Sequence, residues 1–298
     1  MGLCVFNGDR HLAAALDSLL SQSMEDFVLN ISDNGSTDHT EKICRSYAAA
    51  DSRIRYFRHD ENRGLVWNFN FVAQASRETE FFKWCAHDDV YDPTYLEKCV
   101  EELDKRPEII ACHCLTRYIN ERGDEIMRSY RRQSFTDERP WVRFNQILLS
   151  NHDFSYAFAL IRRSELDQIR PFQTVNAADT VLLADLAFRG PFGEIPDHLF
   201  ANRIHPTRSM AVVAKGRDAL GWAKWYGGST RFPLWRTWAE FRRNIASAPL
   251  DPQAKARCYA VLEKWMAYRW RGFGWELVAD GLPVTGERLS ARWRERRR

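Results

Sequence analysis

The 298-residue sequence contains no long hydrophobic run. No stretch approaches the ~18 consecutive apolar residues of a membrane-spanning helix. The N-terminus also lacks a basic region followed by an apolar run and a cleavage site. Both absences argue against a membrane-spanning or secreted protein. We therefore expect a cytoplasmic protein, with peripheral contact at the inner face of the membrane as the secondary expectation.

The sequence also lacks a cysteine framework, because its seven cysteines are odd in number and scattered. That distribution is typical of buried, reduced thiols. Cys112-His113-Cys114 has the spacing of half a metal site, but no second ligand pair stands at a matching distance along the chain. On a strand the two thiols would simply share one face, so we do not expect zinc there.

Charge is nearly balanced over the whole chain but not along it. The net charge is +3, yet residues 215–298 hold 18 Lys and Arg against 8 Asp and Glu, and residues 1–214 hold 25 against 32. Eight of the eleven tryptophans also lie in residues 215–298. This division predicts a main domain over residues 1–212 and a helical, basic, Trp-rich extension over residues 213–298.

Three interpretations of this extension are open. Tryptophan can form the core of a helical subdomain whose arginine stems cover it. Tryptophan beside arginine also suits the surface of an anionic membrane. Binding to nucleic acid is the third, and we do not expect it because residues 1–214 are acidic and no reader motif is present.

Helix and strand patterns alternate through the first 115 residues. We predict helices at 9–23, from Thr37 or Asp38 onwards, at 65–75 and from Pro93 to about 105. We predict a short opening strand at 1–6 and further strands at 27–32, 54–57, 81–86 and 109–115. Later segments are less regular, with helices at 141–149 and 177–188 and a strand at 157–161. Alternation of this kind predicts an α/β fold with a mostly parallel sheet flanked by helices.

Polar loops follow three of the predicted strands, at Asn7-Gly8, at Asp33-Asn34-Gly35 and at His87-Asp88-Asp89. Ligands of parallel sheets bind beyond the carboxyl ends of the strands. Adjacent carboxylates repel each other unless a cation compensates, and Mg²⁺ or Mn²⁺ prefers carboxylate and phosphate oxygens. Asp88 and Asp89 therefore suit a metal–diphosphate site, and a solvated turn is the alternative.

Two further carboxylates lie at positions where a side chain could contact a ligand. Asp33 at a strand end can accept hydrogen bonds from a base or ribose, although plain turn chemistry explains its neighbours. Asp179 begins a strongly apolar helix, where it is either a helix cap or a general base.

Three segments then carry a family resemblance: NGDRHLAAALDSLLSQ, SDNGSTDHT and FFKWCAHDDVYDPTYLEKCVEELD. In order and spacing they resemble a family 2 glycosyltransferase with the GT-A fold. The segment NAADTVLLADLAFRGPFGEIPDHLFANRIHPTRS resembles the later acidic motif and closing segment of that family. The resemblance covers about residues 1–210.

The resemblance implies donor-binding residues at five positions. Asn7 falls in the first nucleotide-binding loop, and Asp33 would contact the base of the nucleotide. Asp88 and Asp89 would bind the ribose and the metal-bridged diphosphate. Asn70 belongs to the same donor-binding set.

The resemblance also implies a metal ion and a catalytic base. Mn²⁺ or Mg²⁺ would be held by Asp89, Asp88 and His205, and Asp179 would be the base of an inverting transfer. The donor would be a nucleoside-diphosphate sugar, with a UDP-sugar favoured, and the acceptor a glycan or a lipid-linked molecule. The product would belong to cell-surface polysaccharide or glycoconjugate synthesis.

Two positions depart from the family pattern. Ala86 stands where an acidic residue often lies two positions before Asp88, and Phe69 replaces the usual arginine before Asn70. The first departure leaves fewer carboxylates for a metal. The alternative function is a protein that binds a nucleoside diphosphate and has no transferase activity.

Overall fold

The computed structural model describes residues 1–129, 135–149, 154–206 and 231–281. The strands are β1 Gly2–Val5, β2 Leu29–Asp33, β3 Ile54–Arg58, β4 Phe81–Phe82, β5 Trp84–Ala86, β6 Val90–Tyr91, β7 Ala111–Ile119, β8 Glu125–Arg128, β9 Leu160–Arg162 and β10 Phe192–Arg203. The helices are α1 Leu12–Leu20, α2 Thr40–Ala50, α3 Leu65–Ala75, α4 Tyr95–Lys105, α5 Pro140–Leu149, α6 Arg163–Leu166, α7 Ala178–Ala187, α8 Pro233–Ser247, α9 Pro252–Tyr268 and α10 Trp270–Gly281.

A four-stranded parallel sheet of order β3-β2-β1-β5 forms the first half of the fold. The strands are short, and helices α1 and α2 connect β1 to β2 and β2 to β3, because parallel neighbours need such crossover connections. Val5 of β1 lies opposite Asp33 of β2, and Cys4 of β1 lies opposite Ala86 of β5. The predicted parallel sheet flanked by helices is confirmed.

A second sheet of order β4-β9-β7-β10-β6, with β8 paired to β7, was not predicted. Only its β7–β10 pair is parallel, and the others are antiparallel. The sequence hides β10 because Pro196 interrupts its strand pattern, and the pairing register shifts between Ile195 and Phe200. Proline removes a ladder donor and is confined to edges and irregular positions of strands.

The predicted strand at 81–86 is wrong as a single element. It divides into β4, which pairs with β9 in the second sheet, and β5, which pairs with β1 in the parallel sheet. Lys83 lies at the division, fully buried, with its Nζ 3.4 Å from the ring centroid of Tyr91. The predicted strand at 157–161 likewise begins late, because Phe154–Phe158 forms a 3₁₀ turn before β9. The predicted helices are confirmed, most of them shorter at one or both ends.

The three C-terminal helices share a hydrophobic core with the rest of the chain. Phe241 of α8 lies 5.7 Å from Phe144 of α5 and 5.6 Å from Trp265 of α9, measured between ring centroids. Trp235 and Trp238 also pack against this core. The predicted helical extension is therefore present, with these tryptophans in packing positions. The predicted boundary after residue 212 lies outside the described residues.

None of the helices in the described part of the chain is both long enough and apolar enough to cross a bilayer. All seven cysteines are buried thiols. Cys112 and Cys114 join the same core cluster, as neighbours on one face of a strand do. His113 between them contacts the Tyr95 hydroxyl through Nδ1 at 3.0 Å.

Candidate functional site

The three polar loops meet at the carboxyl edge of the parallel sheet, as the sequence predicts. β2, β1 and β5 are neighbours, so the loops after Asp33, Val5 and Ala86 lie side by side. Gly8 permits this approach, since a Cβ on it would lie 2.4 Å from Cδ2 of His87. A side chain at this position would push the first loop away from the third.

Asn7 links the first loop to the second. Its backbone lies in the left-handed region, with φ of 49°, which asparagine tolerates better than most residues. Its Oδ1 accepts a hydrogen bond from the Thr37 amide at 2.9 Å, and its own amide donates to Ser36 Oγ at 2.9 Å. The Gly8 amide donates to Thr40 Oγ1 at 2.9 Å. These hydrogen bonds hold the exposed side chain of Asn7 at the sheet edge.

Asp33 is fully buried in the wall of the site. Its Oδ1 accepts a hydrogen bond from the Ser36 amide at 2.9 Å, and its Oδ2 accepts one from the Tyr56 hydroxyl at 2.8 Å. Burial, followed by the contact with Asp33, raises the pKa of Tyr56, so the phenol stays a donor. Asp33 orders the turn that begins α2. Its contact with a nucleotide base stays a prediction.

Asp88 and His205 form a close pair although 117 residues separate them. Nε2 of His205 lies 2.8 Å from Oδ2 of Asp88, and their side chains are 7% and 15% exposed. Burial works to raise the pKa of Asp88, but its contacts with His205 and His87 outweigh burial and hold that pKa below the ordinary value. Asp88 is therefore the ionised carboxylate of the adjacent pair.

Asp89 is held differently, with 2% of its surface exposed. Its Oδ1 accepts a hydrogen bond from the Arg203 amide at 2.9 Å, and the Asn202 amide group lies 3.2 and 3.3 Å from its two oxygens. Burial, followed by repulsion from Asp88, raises the pKa of Asp89 well above the ordinary value. Adjacent carboxylates thus have different environments, and Asp89 anchors the loop internally.

Arg203 is a positioning residue that sequence reasoning missed. Its Nε donates to the Asp88 carbonyl at 2.9 Å, and its Nη1 donates to the Asn120 and Glu121 carbonyls at 3.0 and 3.3 Å. Glu121 in turn pairs with Arg10 of the first loop at 3.0 Å. The available signal was an arginine at the end of the apolar run LFANR, where a buried guanidinium must find acceptors.

His11 is a second residue that sequence reasoning missed. Its ring centroid lies 5.2 Å from that of His205, and only 9% of its surface is exposed. In the described part of the chain its Nε2 has no hydrogen-bond partner. Burial, followed by the charge of Arg203, lowers the pKa of His11 to about 4. A neutral imidazole therefore stands beside the Asp88–His205 pair, and its only sequence signal was its place just before α1.

Asp179 lies half-buried in the first turn of α7. Its Oδ1 accepts a hydrogen bond from the Thr180 amide at 2.8 Å. The segment that leads into α7 packs against β5, because the ring of Phe172 lies 5.0 Å from that of Trp84. The start of α7 is thus fastened to the strand that ends near Asp88, and the catalytic role of Asp179 stays a prediction.

Asn70 fastens α3 to the same segment. Its Nδ2 donates to the Phe172 carbonyl at 3.0 Å, and its Oδ1 accepts from the Phe172 amide at 2.9 Å. Phe69, which replaces the expected arginine, stacks on Trp84 with 6.2 Å between ring centroids. Both side chains therefore serve packing in this structure, and donor binding by Asn70 stays a prediction.

A family model decides the identity of the chain. The model described as glycosyl transferase family 2 matches residues 2–170, more than half of the sequence. The chain belongs to this family. The matched region of this family 2 chain includes Asn7, Asp33, Asn70, Asp88 and Asp89. Asp179 and His205 lie beyond it.

Curated relatives support the assignment over parts of their length. The family 2 chain is 25% identical to EpsH of Bacillus subtilis over 213 residues, which cover 71% of this chain and 57% of EpsH. It spans only 16% and 33% of two proteins named as uncharacterized glycosyltransferases, from Rickettsia felis and Rickettsia typhi.

Solved structures support the fold. S. aureus TarS in complex with UDP-GlcNAc matches with a TM-score of 0.67 at 16% identity, over 91% of this chain and 74% of TarS. The mannosyltransferase PcManGT of Pyrobaculum calidifontis, in complex with GDP-Man and Mn²⁺, matches with a TM-score of 0.50 at 18% identity, over 94% of this chain and 84% of that one. This family 2 chain therefore has the predicted GT-A fold.

In the residues that the structure describes, His, Cys, Asp and Glu side chains do not gather in threes as a ready-made metal site. The predicted ligand set of Asp88, Asp89 and His205 stays a prediction. Asp88 and His205 lie together, and both oxygens of Asp89 are engaged by Arg203 and Asn202.

Proposed function

We propose that the chain transfers a sugar from a nucleoside-diphosphate sugar to an acceptor hydroxyl with inversion of configuration. The observation that carries this proposal is the Asp88–His205 pair at the carboxyl edge of a parallel sheet, beside the loop at Asn7 and Gly8. UDP-sugars are the favoured donors, since the structural relative TarS is in complex with UDP and with UDP-GlcNAc.

Two of the three predicted ligands fit a divalent ion. Oδ2 of Asp88 and Nε2 of His205 lie 2.8 Å apart, and a carboxylate oxygen and an imidazole nitrogen can both bind a divalent ion. Asp88 and His205 would thus hold Mn²⁺ or Mg²⁺, with diphosphate oxygens and water completing the shell. Asp89 would support them through Arg203. When bound, the ion would neutralise charge that develops on the leaving diphosphate.

The protein side chains have separate roles in the proposed reaction. Asp179 takes the proton of the acceptor hydroxyl as that oxygen attacks the anomeric carbon. The bond between the anomeric carbon and the diphosphate oxygen breaks on the opposite face, so a single displacement inverts the configuration. His11 stands beside His205 with a neutral imidazole, and its buried Nε2 has no hydrogen-bond partner among the described residues. Asn7 and Asp33 shape the nucleotide end of the site.

The acceptor in this proposal is a glycan or a lipid-linked molecule, and the pathway is synthesis of cell-surface polysaccharide or glycoconjugate. Residues 1–212 would form the catalytic domain, and residues 213–298 would be its extension. Nucleic acid is not proposed as a partner, since residues 1–214 carry an excess of acidic side chains.

The test compares Asp179→Asn with the unaltered chain. Loss of a general base is expected to slow sugar transfer by roughly 10²- to 10⁴-fold. Donor binding should remain, seen as an unchanged rise of melting temperature with UDP-sugars in the presence of Mn²⁺. Omitting Mn²⁺ should remove most of that rise in both proteins.

Three results would contradict parts of the proposal. Near-normal turnover by Asp179→Asn would exclude Asp179 as the base. A full donor-induced rise of melting temperature without any divalent ion would exclude the metal. Donor binding by the unaltered chain without transfer or donor hydrolysis would favour the alternative, a nucleotide-binding protein without transferase activity.

A further inference from the structure

Helix α10 is docked on the protein in one defined orientation. Its inward side chains are Phe273 and Glu276, which are 3% and 7% exposed. The ring centroid of Phe273 lies 5.0 Å from that of Trp235. The Glu276 carboxylate accepts hydrogen bonds from the Leu234 amide at 2.8 Å and the Trp235 amide at 3.3 Å, at the N-terminus of α8. These contacts fix which face of α10 points outward.

The outward face of α10 is apolar, which is the reverse of an ordinary surface helix. Trp270, Leu277 and Val278 are 64%, 55% and 52% exposed. Gly274 lies among them, and a Cβ on it would meet nothing within 4 Å. These four residues follow the spacing i, i+4, i+7 and i+8, so they form one stripe, which we call the α10 face.

Tyr268 and three cations border the α10 face. Tyr268, at the end of α9, is 81% exposed. Lys264 precedes it by one helical turn, and Arg269 and Arg271 flank Trp270; all three cations are exposed. We call these three cations the basic rim. Among the described residues, no ion pair joins any of them to an acidic side chain. An open cleft of about 460 Å³ lies at this corner, lined in part by Tyr268 and Trp270.

We propose that the α10 face and the basic rim form a docking surface for an anionic phospholipid bilayer. Exposed tryptophan and tyrosine favour the level of the headgroups, and aliphatic side chains such as Leu277 and Val278 favour the acyl boundary. Unpaired lysine and arginine beside them attract anionic headgroups. Contiguous exposed apolar surface on a helix marks an interaction site of this kind.

The chemistry of this surface favours a membrane over other occupants. A second copy would bring two basic rims together, and like charges oppose that contact. Residues 282–298, which follow α10 directly, hold six arginines and two glutamates, so they would also be repelled by the rim. Nucleic acid would satisfy the cations, but it offers no partner for the aliphatic side chains of the stripe.

This surface deepens the proposed function, and its biological meaning rests on that proposal. A lipid-linked acceptor presents its hydroxyl at a bilayer surface, so docking there would bring the catalytic site to the acceptor. The docking itself is measurable without any transferase assay.

The experiment is flotation of the full chain with vesicles of phosphatidylcholine, with and without phosphatidylglycerol. We expect the chain to float with phosphatidylglycerol vesicles and to remain largely unbound with phosphatidylcholine alone. Arg269→Gln with Arg271→Gln should lower binding by roughly 25-fold, since each basic residue near the surface contributes about fivefold. Trp270→Ser with Leu277→Ser should lower binding by about tenfold or more, because apolar burial in the bilayer is lost.

Met127→Ser is the matched control, because Met127 is 55% exposed on β8, outside this surface. It should float like the unaltered chain. The donor-induced rise of melting temperature should be the same in all variants, which separates failed docking from a failed donor site. If that rise is absent from every protein while flotation follows the prediction, the proposed function fails and the docking surface stands.

Several outcomes would overturn the docking surface. One is binding to neither vesicle, and another is equal flotation of all variants. A lower melting temperature of Trp270→Ser with unchanged flotation would assign the face to residues 282–298. If the unaltered chain binds no vesicles but forms a concentration-dependent dimer that this variant loses, the α10 face is assigned to a second copy. If the chain binds single-stranded RNA in place of vesicles, the face is assigned to nucleic acid.

Discussion

The missing Cβ of Gly8 decides how closely the first loop of the site approaches the third. A methyl group there would lie 2.4 Å from Cδ2 of His87 and 2.7 Å from Cγ2 of Val5. Neither distance is compatible with van der Waals contact, so one of the loops would have to move. Because Asp88 follows His87 directly, the movement would reach the site.

We therefore expect Gly8→Ala to lower the free energy of unfolding by about 1–3 kcal/mol, the usual cost of overpacking. It should also reduce the rise of melting temperature produced by UDP-sugars. Chemical denaturation and thermal shift measure the two effects.

Gly274→Ala is the matched control for this substitution. Gly274 lies inside α10 with open space around its Cα. Alanine should there raise the free energy of unfolding by about 0.5–1 kcal/mol through helix propensity. Equal effects of the two substitutions would refute the steric explanation for Gly8.

At the scale of elements, the end of β10 organises the site. It delivers Asn202 and Arg203 to Asp89, and the chain continues to His205, which meets Asp88. The Arg203 guanidinium joins three carbonyl groups from two other loops. β10 therefore holds the third loop and the turn at Asn120 in one arrangement.

Arg203→Met should lower the free energy of unfolding by about 2 kcal/mol, since three partly buried carbonyls lose a charged donor. Donor binding should weaken with it, because the Asp88 carbonyl loses its anchor. Arg10→Met is the matched control: Arg10 is 65% exposed in its ion pair with Glu121, and such pairs contribute ~0–1 kcal/mol. Similar losses in both variants would refute the positioning role of Arg203.

At the scale of the whole molecule, the core buries ionisable groups that make its stability depend on pH. His113 is fully buried, and burial lowers its pKa from 6.5 to about 3. Unfolding raises that pKa again, so the unfolded chain binds more protons between these values. The stabilisation is complete above pH 6.5 and is lost as the pH falls toward 3.

His113→Phe should flatten this loss of stability, even though it removes the contact with Tyr95 and lowers stability at neutral pH. Burial also raises the pKa of Asp185 to about 6, which acts in the opposite direction between pH 3.8 and 6 in both proteins. The difference between the two proteins therefore isolates His113. Urea denaturation from pH 7 to pH 4 measures it, and parallel pH profiles would refute the assignment.

Much of this fold was predictable because local patterns specify it. The leucines of α1, the alternating Leu29 and Ile31 of β2 and the whole of α3 follow helical or strand spacing closely enough to be predicted from the sequence. Because β2, β1 and β5 are parallel neighbours, their carboxyl ends lie at the same edge of the sheet, which brings Asn7, Asp33 and Asp88 to that edge. The second sheet was not predictable, because Pro196 disrupts β10 and Lys83 divides β4 from β5.

The sequence by itself determined the family, the order of the site loops and the helical nature of residues 233–281. Only the tertiary structure decided which of two adjacent aspartates faces His205 and which is anchored by Arg203, because these contacts join residues 113 to 117 positions apart. It also decided that Trp265 is buried while Trp270 is exposed. Both residues are tryptophans, but Trp265 packs against Phe241 of α8 and Phe273 of α10, whereas Trp270 lies on the outward face of α10.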